Sequence, residues 1–266
     1  MAMISKIQSF IGYIRHAANA RSRFRLHSPF AYRFYREVIK NGISYPQYSH
    51  IERVRKDMIG HSRFIKRRDM GARAKEIPCD QRFVRVKDIA KKSSISPKKG
   101  RFLFRLTRDI DPKNILELGT AFGISALYMA NAAPGSRIFT IEGCLDSAHL
   151  AEDNFEKAGA RNIRVFAGTF ENKLSSVWQD MPAPDMVFFD GNHKKEPTLR
   201  YFNECLQHIH PGTVFIFDDI HWSSGMESAW KEIRNHPSVK VTIDLYHMGI
   251  VFFREELSKE DYILKL

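Results

Sequence analysis

The sequence predicts an α/β fold, a doubly wound, seven-stranded, mostly parallel sheet with a reversed last strand, preceded by a helical N-terminal region. Three observations predict it. Short apolar runs alternate with helix-length segments from residue 114 onward, a spacing that calls for parallel strands joined by right-handed crossovers. The last two apolar runs are too close for a crossover, so they pair as a hairpin and one of them runs antiparallel. The charge also changes sign at this boundary: residues 1–113 hold 28 Lys+Arg against 9 Asp+Glu, whereas 114–266 hold 14 against 21. The halves therefore face different partners, and the front half suits an anionic one.

Taken in order, Ile4, Ile7, Ile11 and Ile14 recur at helical spacing and predict an amphipathic helix over 3–19. Ser28-Pro29 reads as an N-cap with proline at the first helical position, opening a helix over 29–41. Aromatics interleave with arginines in 21–36 (Phe24, Phe30, Tyr32, Phe34, Tyr35), a pattern that suits either base stacking or core contacts. The basic stretch 61–76 reads as loop or broken helix. Ser96-Pro97 opens a further helix carrying Phe102, Leu103, Leu106 and Ile110. Strands follow at 114–118, 137–141, 163–167, 185–189 and 213–217, with helices at 123–132, 147–158, 196–209 and 225–235 and the closing hairpin at 239–245 and 248–254.

Composition excludes several classes. At 43% hydrophobic and 27% charged, the chain of 266 residues is ordinary globular material. No run approaches the roughly 20 apolar residues of a membrane span. Cys79, Cys144 and Cys205 show no CxxC spacing, so neither a disulfide framework nor a zinc ribbon is expected, and the protein reads as cytoplasmic.

Sheets of this kind bind ligands at the carboxyl ends of their strands. The first strand runs into Glu117-Leu118-Gly119-Thr120-Ala121-Phe122-Gly123, where two glycines permit a tight turn and close backbone approach. The second ends in Glu142, placed to accept hydrogen bonds from vicinal ribose hydroxyls. The glycine spacing is not the GxGxxG of a dinucleotide site, and no GxxxxGK[ST] loop occurs, so the expected cofactor contains adenosine without a pyrophosphate. The fourth strand closes on Asp190-Gly191-Asn192-His193 and the fifth on Asp218-Asp219-Ile220-His221-Trp222. Neighbouring carboxylates repel unless a cation intervenes, and a hard divalent ion such as Mg²⁺ is one solution. Alternatively, Asp218 or Asp219 caps the next turn and Asp190 bonds nearby amides.

From 114 to 254 the chain resembles the class I S-adenosylmethionine-dependent methyltransferases, on the E-x-G-x-x-x-G turn, the acid Glu142 and the strand order ending in a reversed hairpin. The resemblance implies a Rossmann-like fold and a glycine turn (Glu117, Gly119, Thr120, Gly123) that receives the methionine part of S-adenosylmethionine. It further implies that Glu142 holds the ribose and that Gly168-Thr169-Phe170 lies where the family contacts adenine, although Phe170 equally suits a core position. D-G-x-H followed by D-D resembles the O-methyltransferases acting on sugars and other small hydroxylated molecules, similar to the macrolide-sugar and cation-dependent catechol types. By that resemblance Asp190, beside the cofactor, together with Asp218 and Asp219 would bind Mg²⁺, and His193 would be the general base. His221 is a rival base. The catechol type has a lysine near the fourth-strand acid and Asp-Asn after the fifth; this chain has neither in register, which argues against a catechol-like substrate. The segment 24–35 is similar to a lead-in found in uncharacterised bacterial methyltransferases.

The expected organisation is a basic helical cap or substrate region over 1–98 and a cofactor-binding methyltransferase domain over 99–266. The expected function is O-methylation of a small hydroxylated or anionic molecule with Mg²⁺ assistance. The alternatives are an RNA methyltransferase that grips RNA with its basic half, and a non-catalytic nucleic-acid- or membrane-binding protein. Oligomeric state is left open, a homodimer being compatible with the sequence.

Overall fold

The computed structural model describes residues 2–21, 25–67, 82–181 and 183–266 and, within them, all side chains except those of 2–10, 67 and 82. Phe24, Cys79 and the basic run from Arg68 to Lys75 lie outside the described residues. The chain forms two compact units, Met1–Lys40 with Asp185–Leu266, and Asn41–Pro184.

The first unit opens with α1 (Ala2–Asn19). Of the isoleucine stripe, Ile11 and Ile14 are 50% and 51% exposed and do not dock the helix, while the side chains of Ile4 and Ile7 lie outside those described. Instead the buried His16 hydrogen-bonds Asp244 at 2.9 Å. Gly12 lets the Tyr246 hydroxyl come within 3.2 Å of where a Cβ would stand. Next comes α2 (Pro29–Phe34), capped as predicted by Ser28, whose hydroxyl accepts from the Ala31 amide, and extended by a wider π-helical turn over Tyr35–Ile39. Phe30 and Phe34 meet Phe252 edge-on, so these two aromatics serve the core.

The second unit starts with α3 (Gln47–Gly60) and a two-stranded antiparallel ribbon, β1 (Phe64–Arg67) and β2 (Arg82–Arg85). The sequence predicted loop or broken helix here. The ribbon forms because Ile65 and Val84 alternate with polar or exposed neighbours and pack onto Met58, Val86, Ile89, Phe122 and Leu150. Then follow α4 (Val86–Ser93) and α5 (Pro97–Ile110), the latter capped by Ser96 as expected. At Gly100 a Cβ would stand 2.2 Å from the Tyr128 ring. The bare backbone thus lets Tyr128 pass and donate its hydroxyl to Glu52 Oε1 of α3 at 2.7 Å. Three parallel strands come next, β3 (Asn114–Leu118), β4 (Arg137–Glu142) and β5 (Ile163–Ala167), with α6 (Ile124–Ala132) and α7 (Leu145–Lys157) between them and α8 (Phe170–Asp180) after them.

Returning to the first unit, β6 (Met186–Phe189) and β7 (Val214–Asp218) are parallel neighbours, with α9 (Lys195–Leu206) between them and α10 (Ser224–Asn235) after β7. Of the tail strands β8 (Val241–Asp244) and β9 (Met248–Phe252), β9 runs antiparallel to both β7 and β8, which is the reversed hairpin the sequence predicts. A strand the sequence did not announce, β10 (Glu260–Ile263), pairs parallel with β8 and extends the first unit's sheet to five strands. Its four residues carry two acids, and Tyr262 alone among them is buried, so no apolar run marks it. The architecture is a mostly parallel α/β fold with a helical N-terminal region, as predicted. Among the described residues no helix is long and apolar enough to cross a membrane.

Candidate active site

In the second unit, the β3–α6 turn is shaped by its backbone. Gly119 and Gly123 have φ of 109° and 79°, and Ala121 between them is left-handed at 46°. Glycine is required at 119 by that dihedral alone. Gly123 also lies under the Phe155 ring, 2.3 Å from where a Cβ would stand. The turn is held by the Gly119 amide donating to Ile141 O at 3.0 Å and by Asn154 Nδ2 donating to Phe122 O at 2.9 Å.

Glu142 closes β4 beside this turn. Its Oε2 accepts from the Ala121 amide at 2.8 Å and its Oε1 from the Cys144 amide at 2.9 Å. An ionised carboxylate accepts about four hydrogen bonds, and these amides use two of them while fixing the plane of the group. Next to Glu142 in the sheet, Gly168 donates its amide to Glu142 O at 2.8 Å. Thr169 then caps α8, its hydroxyl accepting from Asn172 at 3.4 Å, and half-buried Phe170 opens the helix.

Beneath the turn runs a buried relay. Thr120 Oγ1 lies 2.5 Å from Thr140 Oγ1, and Thr140 donates to Glu117 Oε2 at 2.6 Å. Thr120 therefore contributes its backbone to the turn while its hydroxyl is engaged inside. Glu117 is fully buried, and burial pushes its pKa up to about 7, with the Ser125 and Thr140 hydroxyls opposing the rise and the Glu142 charge adding to it. Its Oε1 is buried with no hydrogen-bond partner. A buried orphan acceptor of this kind is costly unless a donor arrives.

In the first unit, the carboxyl edge of β6 and β7 gathers the remaining predicted residues. Asp190 follows β6, and its Oδ1 lies 3.7 Å from His193 Nε2. Between them Asn192 takes a left-handed φ of 55°, which bends the chain so that the imidazole turns back toward the acid. Asp218 ends β7 and is buried. Asp219, left-handed at 53°, receives the Trp222 amide on its carbonyl at 2.9 Å and donates its own amide to His247 O at 2.7 Å. Among the described residues, no group of three or more His, Cys, Asp or Glu is arranged to hold a metal ion.

The sequence singled out His221 but not its setting. His221 Nε2 meets Asp244 Oδ2 at 2.9 Å and Nδ1 meets Glu227 Oε1 at 3.3 Å, while the ring stacks on Tyr246 at 5.2 Å. Burial alone would lower its pKa, but the two carboxylates outweigh that and raise it. Asp244 also receives His16 Nε2, Trp230 Nε1 and the Tyr246 amide. Burial opposes its charge, yet these donors hold it well below the usual carboxylate range. Sequence reasoning missed Asp244, Thr140 and Asn154. The available signal was a polar residue on an otherwise apolar strand or on the inner face of a helix.

The fold and the strand-tip groups define the α/β class that receives nucleoside ligands at the carboxyl ends of its strands. Residues 116–220 match a family model described as a methyltransferase domain. Over 130 residues the chain is 35% identical to a catechol O-methyltransferase of Niastella koreensis, covering 48% of this chain and 58% of that one. It is 30% identical over 133 residues to the catechol O-methyltransferase of Sus scrofa, covering 47% of this chain and 70% of that one. The chain belongs to the class I O-methyltransferase family that includes these catechol O-methyltransferases. It spans about half the length of the curated relatives it matches. Among solved structures, the fold is similar to an O-methyltransferase of Bacillus cereus in complex with SAH, at 20% identity, a TM-score of 0.56 and coverage of 82% and 96% of the two chains. It is likewise similar to an SAH-bound methyltransferase of Podospora anserina, at 16% identity, a TM-score of 0.60 and coverage of 86% and 97%.

Proposed function

We propose that this chain transfers the methyl group of S-adenosylmethionine to a hydroxyl oxygen of a small hydroxylated or anionic acceptor, a sugar or similar metabolite. Glu142 carries the proposal. Two amides fix its carboxylate at the tip of β4, beside a left-handed glycine turn, in the geometry that receives two vicinal ribose hydroxyls. The other residues fit the same cofactor. Gly119 admits the methionine portion against bare backbone, Glu117 offers a buried orphan oxygen for an ammonium donor, and Thr169 and Phe170 flank the adenine position. Kinship to O-methyltransferases supports the choice of oxygen as acceptor.

When bound, S-adenosylmethionine supplies a methyl group on a positively charged sulfur. The chain's own part is to align and to move a proton. His193, with Asp190 Oδ1 3.7 Å from its Nε2, takes the hydroxyl proton of the acceptor. Residues 1–98 act as the basic cap that selects the acceptor, and 99–266 as the methyltransferase domain. Mg²⁺ on Asp190, Asp218 and Asp219 would follow from the family, but these residues as placed form no metal-binding group, so no step is assigned to an ion.

Calorimetric titration with S-adenosylmethionine, with and without Mg²⁺, tests the proposal. Glu142→Ala is expected to weaken binding at least tenfold, since it removes charge-assisted hydrogen bonds worth about 1.5–3 kcal/mol. Unchanged affinity in that variant would refute the cofactor site.

A further inference from the structure

The β1–β2 ribbon has two chemically distinct faces. Directly opposed residues of an antiparallel pair share a face, and the register pairs Phe64 with Arg85, Ile65 with Val84 and Lys66 with Phe83. The Ile65–Val84 side is packed into the core cluster. The opposite side presents Phe64 and Phe83, 52% and 71% exposed, alternating with the exposed Lys66 and Arg85. Arg85 lies over the Phe64 ring, its guanidinium carbon 5.3 Å from the centroid. The two phenylalanines are diagonal neighbours, roughly 7–8 Å apart by strand geometry.

Two hydrogen bonds tie the backbone of β1 to its neighbours. The Lys66 amide donates to Asp146 Oδ2 of α7 at 2.8 Å, and the Cys144 thiol donates to Lys66 O at 3.5 Å. Burying Ile65 holds the strand from below. Large exposed rings on a fixed, half-covered ribbon contribute nothing to this core, and their exposure is unfavourable unless something covers them.

We propose that Phe64, Lys66, Phe83 and Arg85 form a platform for a single-stranded nucleic acid. Two bases stack on the two rings, and the cations between them meet the intervening phosphates. The described residues around it have the matching charge, with six Lys+Arg and no Asp or Glu over 61–67 and 82–87. A face that presents two exposed rings with cations beside them suits an extended strand. A duplex hides its base faces and offers nothing to the rings. The proposal goes beyond methyl transfer and does not depend on it.

Fluorescence anisotropy on the full chain tests this, using labelled 12-mer oligo(U) and oligo(dT), a 12-base-pair duplex, and UMP as competitor. The expected result is binding of the single strands that falls steeply with NaCl, with the duplex and UMP at least tenfold weaker. Phe64→Ala/Phe83→Ala should weaken oligomer binding about tenfold or more per ring while thermal melting stays cooperative. Phe83→Ala alone, at the more exposed ring, should move in the same direction should the double variant fold poorly. Lys66→Gln and Arg85→Gln should each reduce the salt slope by about 0.7. Absent binding at low salt, equal affinity for duplex or UMP, or oligomer affinity unchanged by Phe83→Ala would overturn the platform.

Discussion

Replacing Asp244 by alanine removes the acceptor on which four donors converge: His16 Nε2, His221 Nε2, Trp230 Nε1 and the Tyr246 amide. Hydrogen bonds to a charged acceptor are worth about 1.5–3 kcal/mol each, but burying the carboxylate costs several kcal/mol, so the intact cluster is only modestly favourable. Deleting one member is different, because His16, His221 and Trp230 are left with donors under cover. The expected loss is about 3–5 kcal/mol. At roughly 2–4 °C per kcal/mol for a chain of this size, Tm should fall by roughly 6–20 °C. The pH dependence has a defined sign. His221 is raised above its ordinary 6.5, so its contribution is fully present below that value and fades as pH climbs through the raised one. Asp244 is depressed, so its contribution is constant above its ordinary 3.8 and disappears only in acid. Melting wild type and Asp244→Ala at pH 6 and pH 9 should therefore give a large gap at pH 6 and a smaller one at pH 9. A gap below 1 kcal/mol at pH 6, or one that does not shrink at pH 9, would refute this account.

Two further outcomes are expected. His193→Ala should lower kcat by about 10²–10⁴-fold in a methyl-transfer assay, with cofactor affinity from calorimetry within a factor of two of wild type; unchanged turnover would remove His193 as the base. Glu117, whose pKa burial pushes from 4.5 to about 7, makes the folded state bind a proton that the unfolded chain has already released. Stability from this group is thus lost between pH 4.5 and 7, and Glu117→Gln should flatten that slope in urea titrations while weakening cofactor binding at pH 8.

The strand-and-helix alternation from 114 onward was legible because buried parallel strands are written as short apolar runs, and the reversed hairpin because its loop is too short for a crossover. Ser28 and Ser96 announced their helices through cap chemistry that needs no tertiary partner. The ribbon was not legible. Lys66, Arg67, Arg82 and Arg85 are half of its eight residues, and one inward apolar side chain per strand, Ile65 and Val84, is too weak a period to read. Strand β10 failed for the same reason, with Tyr262 as its single buried side chain. At the site, Gly119, Gly123 and Glu142 could be placed because turn and strand tip are local features. The relay Thr120–Thr140–Glu117 and the cluster around Asp244 join residues as far as 228 positions apart, and only folding brings them together. Ile11 and Ile14 of α1 had the correct period but not the docking role, because Gly12 and His16 form the close contacts there.

The crossing at Gly100 constrains how this chain can vary. A single added carbon there would collide with the Tyr128 ring, and moving that ring would take its hydroxyl away from Glu52. Positions 100 and 128 are therefore free to drift only as a couple, a smaller ring arriving before or with the larger neighbour. The helix bearing Glu52 also bears Met58, which lies under Ile65 of the ribbon. A lone methyl group at residue 100 would thus be felt, through a phenol and one helix, at a surface that it never touches.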